Sequence, residues 1–207
     1  MTNTLHRKGT PEALKHDFVV FATPTRSISP ELPGKMRRFT EICLEHKPVN
    51  MAKIEDMAMR RIDPRRIEEE MQDQIGITAT FDNIEAVASL IAELKEADLG
   101  VPVNVSGLLE EVNECCKRAG LKRHSAEQSL GIFGRTDRLP PREIVEINTM
   151  CGHGMVSFNL INKVIGELKL GTITPEQGAY RLAKPCECGA FNPTRAEQLL
   201  ETLRMKS

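Results

Sequence analysis

The chain has 207 residues, of which 40% are hydrophobic and 28% charged, so it can build a globular core of its own. Its 28 Lys and Arg balance 29 Asp and Glu, so the excess of cations that a nucleic-acid binder needs is missing. No apolar run reaches the roughly 18 residues of a membrane span, and the polar N-terminus lacks the apolar segment of a secretory signal. We therefore expect a cytoplasmic protein without a nucleic-acid or membrane partner.

The N-terminal third of the chain predicts one strand and one helix. Residues 1–17 are polar and are expected to form a mobile arm. The run FVVFA at 18–22 is rich in Val and Phe and stops before a proline, which predicts a buried strand. A proline-rich loop follows, and apolar residues at helical spacing then predict a helix over 35–47. The highly charged stretch 48–74 is interpreted as partly a solvated helical excursion.

The middle of the chain has the clearest pattern. ITATF at 77–81 and VPVNV at 101–105 predict two strands, and the amphipathic segment 83–98 between them predicts a helix. A strand–helix–strand sequence is typical of a β-α-β unit with adjacent parallel strands. The fold class expected is α/β, with a small parallel-strand β-α-β core over residues 18–135. SLGIFG at 129–134 is a candidate third strand.

Residues 136–207 change in character and predict several helices that carry cysteines. We expect this helical region to bind a metal or a cluster and to pack on the α/β core. Polar residues at the ends of the predicted strands suggest a ligand pocket, because ligands bind at the carboxyl ends of strands in open α/β sheets. They are Thr23, Thr25, Arg26, Thr80, Asp82, Asn83, Asn104 and Ser106. The alternative is that Asp82 and Ser106 only cap helices.

Two short loops in this region carry the most informative cysteines. Cys186 and Cys188 form a C-x-C pair followed by Gly189, directly before the last predicted helix. Cys151 and His153 lie in a loop with two glycines, also before a helix. Helix N-termini and backbone N–H groups stabilise thiolates, so the two loops are expected to converge on one centre. Arg195, close to the C-x-C loop, is a candidate for offsetting its charge, although such residues more often form ion pairs.

The remaining cysteines are weaker candidates. Cys115 and Cys116 lie on a predicted helix. Each could be a small buried core residue, or one of them could supply a fourth thiolate ligand. We prefer Cys116 as the ligand because Cys115 falls on the apolar stripe of the helix. Cys43 and His46 form a C-x-x-H, but Cys43 also falls on an apolar stripe and is interpreted as core.

Three kinds of site are compatible with these residues. The leading hypothesis is a [4Fe–4S] cluster held by Cys151, Cys186, Cys188 and Cys116, or with one iron open. A zinc site would instead use Cys151, Cys186, Cys188 and His153. A metal-free enzyme would use Cys151 as nucleophile and His153 as base.

The function expected first is that of an iron–sulfur protein of anaerobic metabolism. It would transfer electrons or catalyse a cluster-dependent reaction, with a redox protein or a small-molecule substrate as its partner. The alternatives are a structural zinc-binding interaction module and the thiol-dependent enzyme.

Overall fold

A computed structural model of the protein describes residues 6–24 and 30–205. Residues 1–5 of the expected N-terminal arm, together with Thr25 and Arg26, lie outside the described residues. In the described part, five strands form one sheet with the order β3-β2-β4-β1-β5, and every neighbouring pair is antiparallel. The strands are β1 (Phe18–Ala22), β2 (Asn50–Glu55), β3 (Ala58–Arg61), β4 (Gly76–Phe81) and β5 (Val103–Ser106).

The predicted core of adjacent parallel strands is wrong. Helix α4 (Ile84–Ala97) does connect β4 to β5, but β1 lies between these two strands and pairs with both. Val20 faces Ala79 on one side and Val105 on the other, in antiparallel register. This is a split β-α-β arrangement. The local pattern predicts the crossover connection, but it contains no information about a distant strand inserted between its two strands.

One face of the sheet is covered by α2 (Leu32–Glu45), α4 and α5 (Leu109–Arg118). Alternate side chains of β1 point to opposite faces, so Phe18 and Val20 enter this first core. Phe39 of α2 and Leu90 of α4 are fully buried there.

The opposite face carries the C-terminal helices and a second core. Val19 and Phe21 of β1 belong to it, together with the buried sides of four helices. The helices are α6 (Arg142–Thr149), α7 (Phe158–Lys169), α8 (Pro175–Ala183) and α9 (Pro193–Met205). The side chain of Thr174 accepts from the backbone N–H of Gln177, and the Gln177 side chain accepts from the Thr174 N–H, which forms a capping box at the start of α8.

Two further segments differ from the sequence prediction. The charged stretch 48–74 begins with the hairpin β2–β3, whose turn at Asp56 and Met57 has positive φ, and continues into a 3-10 turn (Pro64–Arg66) and the short helix α3 (Ile67–Met71). The hairpin was not predicted, whereas the helical part expected within this stretch is confirmed by the 3-10 turn and α3. Residues 129–134 form no strand, and Phe133 within them is 77% exposed.

The described part of the N-terminal arm contains the short helix α1 (Pro11–Leu14), and Arg7 ahead of it is buried. Among the described residues, no helix has the length and apolar character needed to cross a membrane.

Candidate functional site

The two cysteine loops predicted from the sequence come together in the second core. Cys151 follows the end of α6, and the Cys186–Cys188 pair lies between α8 and α9. The Sγ atoms of Cys186 and Cys188 are 3.8 Å apart, and Cys188 Sγ lies 3.5 Å from Nδ1 of His153. The thiol of Cys151 is hydrogen-bonded with that of Cys186, so four potential ligands from two loops lie together.

The sheet fixes the position of the C-x-C loop. Gly189, with φ +70°, lies so close to β2 that a Cβ atom there would be 2.4 Å from the carbonyl carbon of Met51. Thr80 of β4 donates its hydroxyl to the Gly189 carbonyl at 2.7 Å. The side-chain amide of Asn50 donates to the carbonyl of Phe191 at 2.8 Å. Only a glycine permits this approach of two backbones, and two buried polar side chains hold it.

Hydrogen bonds between the three thiols shift their pKa values in opposite directions. The pKa of Cys151 is lowered to about 5, first by a hydrogen bond from the Cys186 thiol and further by backbone N–H groups, including that of Met155. The pKa of Cys188 is lowered to about 6, also chiefly by Cys186, with help from the N–H of Ala190. The pKa of Cys186 is raised because its proton serves both neighbours. Cys186 therefore favours the thiolate form of both of its neighbours, which stabilises negative charge at this cluster.

This charge lies below the protein surface. Cys151, Cys186 and Cys188 are 0%, 2% and 6% exposed, whereas His153 is exposed at the edge of the cluster. Burying thiolates without a counter-charge is costly, because the protein interior solvates ions poorly. A cation bound among the sulfur atoms would remove that cost.

Two of the donor separations match those of a tetrahedral ion. Zn–S bonds of about 2.3 Å and Zn–N bonds of about 2.0 Å place two sulfurs about 3.8 Å apart, and a sulfur and a nitrogen about 3.5 Å apart. The Cys186–Cys188 and Cys188–His153 separations have these values. Among the described residues, however, no group of three or more His, Cys, Asp or Glu side chains is already arranged to hold a metal ion.

The structure does not bring Cys116 to the cluster. Cys116 is half-buried on α5, next to Cys115, which is buried in the first core and whose thiol lies 3.9 Å from the carbonyl of Ile84. The sheet separates this helix from the cysteine cluster in the second core. Cys43 also lies in the first core, where burial raises its pKa.

The polar strand ends do not form one pocket either. Because β1 runs antiparallel to β4 and β5, Thr23 lies at the opposite end of the sheet from Asp82 and Ser106. Thr23 instead donates to the carbonyl of Pro102. Asn83 caps α4 by accepting from the N–H of Ala86 at 2.8 Å.

A buried ionic cluster adjoins the cysteine loops, and the sequence patterns did not reveal it. Asp17, Glu146 and Arg195 are at most 4% exposed, and Arg195 forms an ion pair with each of the two carboxylates. Arg195 stood out in the sequence only because it lies near the C-x-C loop. No local pattern marks Asp17 or Glu146, since their partners are distant in sequence.

Comparisons with known proteins give no relative for this chain: no family model, curated protein or solved structure matches it. The fold and the site define a two-core α/β protein with a buried three-cysteine cluster. Its function must therefore be inferred from the geometry and chemistry of that cluster.

Proposed function

We propose that this protein is a metal–thiolate protein in which Cys151, Cys186 and Cys188 bind one metal ion, with His153 as fourth ligand. The observation that carries the proposal is the pair of donor separations, 3.8 Å and 3.5 Å, which match a tetrahedral centre. Since no group of donors is already arranged around an ion, binding includes a local adjustment of the two loops. Gly152 and Gly154, both at positive φ, give the His153 loop freedom for it.

Zinc is the ion that this set of donors favours. Three thiolates and one imidazole are a common set of structural zinc ligands, and all three sulfur atoms are buried. The ion would join the loop after α6 to the loop before α9 and so close the second core. We therefore assign it a structural role, in which zinc cross-links the loop between α6 and α7 to the loop between α8 and α9.

A [4Fe–4S] cluster, with an electron-transfer or catalytic role, is the second candidate. It is supported by backbone N–H groups that donate to sulfur, from Met155 to Cys151 at 3.4 Å and from Phe191 to Cys186 at 3.3 Å, as is common around iron–sulfur clusters. Cysteines bound to different irons have sulfurs on the order of 6 Å apart, so the C-x-C loop would have to open. One iron would be open or bound by His153, because Cys116 lies across the sheet.

The metal-free thiol enzyme has less support. Cys151 is fully buried, and Nδ1 of His153 faces the sulfur of Cys188 and the carbonyl of Cys151, at 3.5 Å and 3.2 Å. The proposed base therefore does not face the proposed nucleophile.

Metal analysis of protein purified without oxygen tests the proposal. We expect one zinc per chain and no colour, with zinc lost in Cys188→Ser. Cys116→Ser is the matched control, since it removes a thiol from the opposite face of the sheet, and it should retain zinc. About four irons per chain with broad absorbance near about 400 nm would establish the second candidate instead. Protein with neither metal, after purification and after reconstitution with each, would refute both.

A further inference from the structure

Next to the cysteine cluster lies a group of charged side chains with almost no access to solvent. Arg195 donates to Oδ2 of Asp17 at 2.7 Å and to Oε2 of Glu146 at 3.1 Å. Arg7 donates to the other carboxylate oxygen of Asp17 at 2.6 Å. The exposed fractions of these four residues range from 0% to 8%. Buried ion pairs contribute little net stability compared with apolar packing, so their presence calls for another explanation.

The placement of this ionic cluster suggests what it does. Glu146 lies on α6, five residues before Cys151, and Arg195 lies on α9, seven residues after Cys188. The Arg195–Glu146 ion pair therefore joins the helix that leads into one cysteine loop to the helix that leaves the other. A shift of α6 against α9 would separate the two sets of sulfur atoms, and this ion pair opposes it.

The N-terminal segment adds a second connection between the same two loops. The backbone N–H of Lys8 donates to Oγ1 of Thr149 at 3.0 Å, two residues before Cys151. The carbonyl of Lys8 accepts from Arg195 at 2.6 Å. The side chain of Asn192 donates to the carbonyl of His16 at 2.8 Å and accepts from the backbone N–H of Arg195. Residues 7–17 thus bind to both sides of the cysteine site.

We propose that Glu146 and Arg195 are positioning residues of the metal centre, which hold the two cysteine loops next to each other so that a local adjustment is enough to bind one ion. The inference rests on the proposed function. Metal ligands must be held to within about 0.5 Å, and glycine-containing loops do not do this by themselves. Residues outside the ligand set commonly supply that constraint, and their loss weakens metal binding by about 10–100-fold.

The test is Glu146→Gln, which removes one charge and keeps the size of the side chain. Arg195 retains Asp17 as its partner, so the variant is expected to fold. Cobalt(II) serves as the probe because its thiolate complexes absorb visible light, and competition with a chelator gives the affinity. We expect Glu146→Gln to bind cobalt at least about tenfold more weakly than the unaltered protein, with a changed spectrum. The control, Leu90→Ala, weakens the first core across the sheet and should leave affinity and spectrum unchanged.

A measurement without metal makes the two hypotheses separable. In the presence of chelator, iodoacetamide should alkylate Cys188 faster in Glu146→Gln than in the unaltered protein or in Leu90→Ala, because the loops are held less tightly. If the unaltered protein binds no cobalt, the proposed function fails. If it binds cobalt and Glu146→Gln binds it equally well, the positioning role alone fails. If Leu90→Ala weakened cobalt binding as much as Glu146→Gln, the positioning role would also fail, because the effect would then follow the general stability of the protein.

Discussion

Substitution of Gly189 by alanine should destabilise the protein far more than its position in a loop suggests. An alanine at φ +70° pays about 1–2 kcal/mol for the left-handed conformation. Its Cβ would also lie 2.4 Å from the carbonyl carbon of Met51 and 2.6 Å from the carbonyl oxygen, where an ordinary contact begins at 3.4 Å. The loop must therefore move away from β2 by about 1 Å, the difference between these distances.

That movement breaks the contacts that hold the loop on the sheet. The hydrogen bonds from Thr80 to Gly189 and from Asn50 to Phe191 are both buried, and each contributes about 1 kcal/mol, or more when a buried group is left without a partner. With the conformational term, the loss in free energy of unfolding is about 3–5 kcal/mol.

Gly154→Ala is the matched control for this experiment. Gly154 lies in the other cysteine loop with nearly the same φ, +67°, but a Cβ atom there would meet nothing within 4 Å. Gly154→Ala should therefore lower the free energy of unfolding only by the cost of the left-handed conformation, about 1–2 kcal/mol. Urea unfolding followed by circular dichroism, with chelator present in every sample, measures both variants without a contribution from metal. Equal destabilisation by the two substitutions would refute the argument that β2 excludes a side chain at Gly189.

Three other measurements address the sheet, the cysteines of the first core and the surface. Thr80→Val should lower the free energy of unfolding by about 1–3 kcal/mol, and Thr78→Val by less, because the Thr78 hydroxyl has only a 4.0 Å contact with a methionine sulfur. A thiol reagent added to the native protein should modify Cys116 and spare Cys43, whose pKa is raised by burial; rapid modification of Cys43 would contradict its place in the core. The guanidinium two residues later lowers the pKa of Asp63 from 3.8 to about 2, so its contribution to stability is complete above about pH 4 and is lost as the pH falls through about 2. An NMR titration in which the Asp63 carboxyl keeps an ordinary pKa would disprove this pairing.

Local sequence context predicted that the loop of Cys151 and His153 converges with the C-x-C loop. Cys151 and the Cys186–Cys188 pair each lie in a glycine-containing loop before a helix, and the structure places these loops together although 34 residues separate them in sequence. Cys116 had no such context, and its choice as a ligand depended only on its position beside a buried cysteine. The structure places it across the sheet from the cluster.

The order of the strands could not be predicted in the same way. A strand that is buried along its whole length, such as β1, requires neighbours on both sides, but the sequence does not say which ones. The pairing of β1 with both β4 and β5 depends on contacts between residues 18–22 and strands that begin more than 50 residues later. Helix and strand periodicity describe the environment of each segment separately and therefore cannot identify an inserted strand.

The residues that place the cysteine cluster are mostly not the residues that form it. The C-x-C loop lies where it does because Asn50 and Thr80 present polar groups from the interior of the sheet to the carbonyls of that loop. The alternation of apolar residues along a strand predicts that Asn50 and Thr80 are buried, but it does not predict their hydrogen bonds to a distant loop. Their hydrogen bonds satisfy loop carbonyls that would otherwise be buried without partners. These bonds therefore favour one conformation and one position of the loop on the sheet. Because β1 contributes alternate side chains to both cores, the sheet that positions the cysteines is itself held by the helices on its other face. Metal binding at the cluster should therefore raise the free energy of unfolding of the whole fold, whereas a loss of stability in the first core that leaves the protein folded should not change the affinity of the native site.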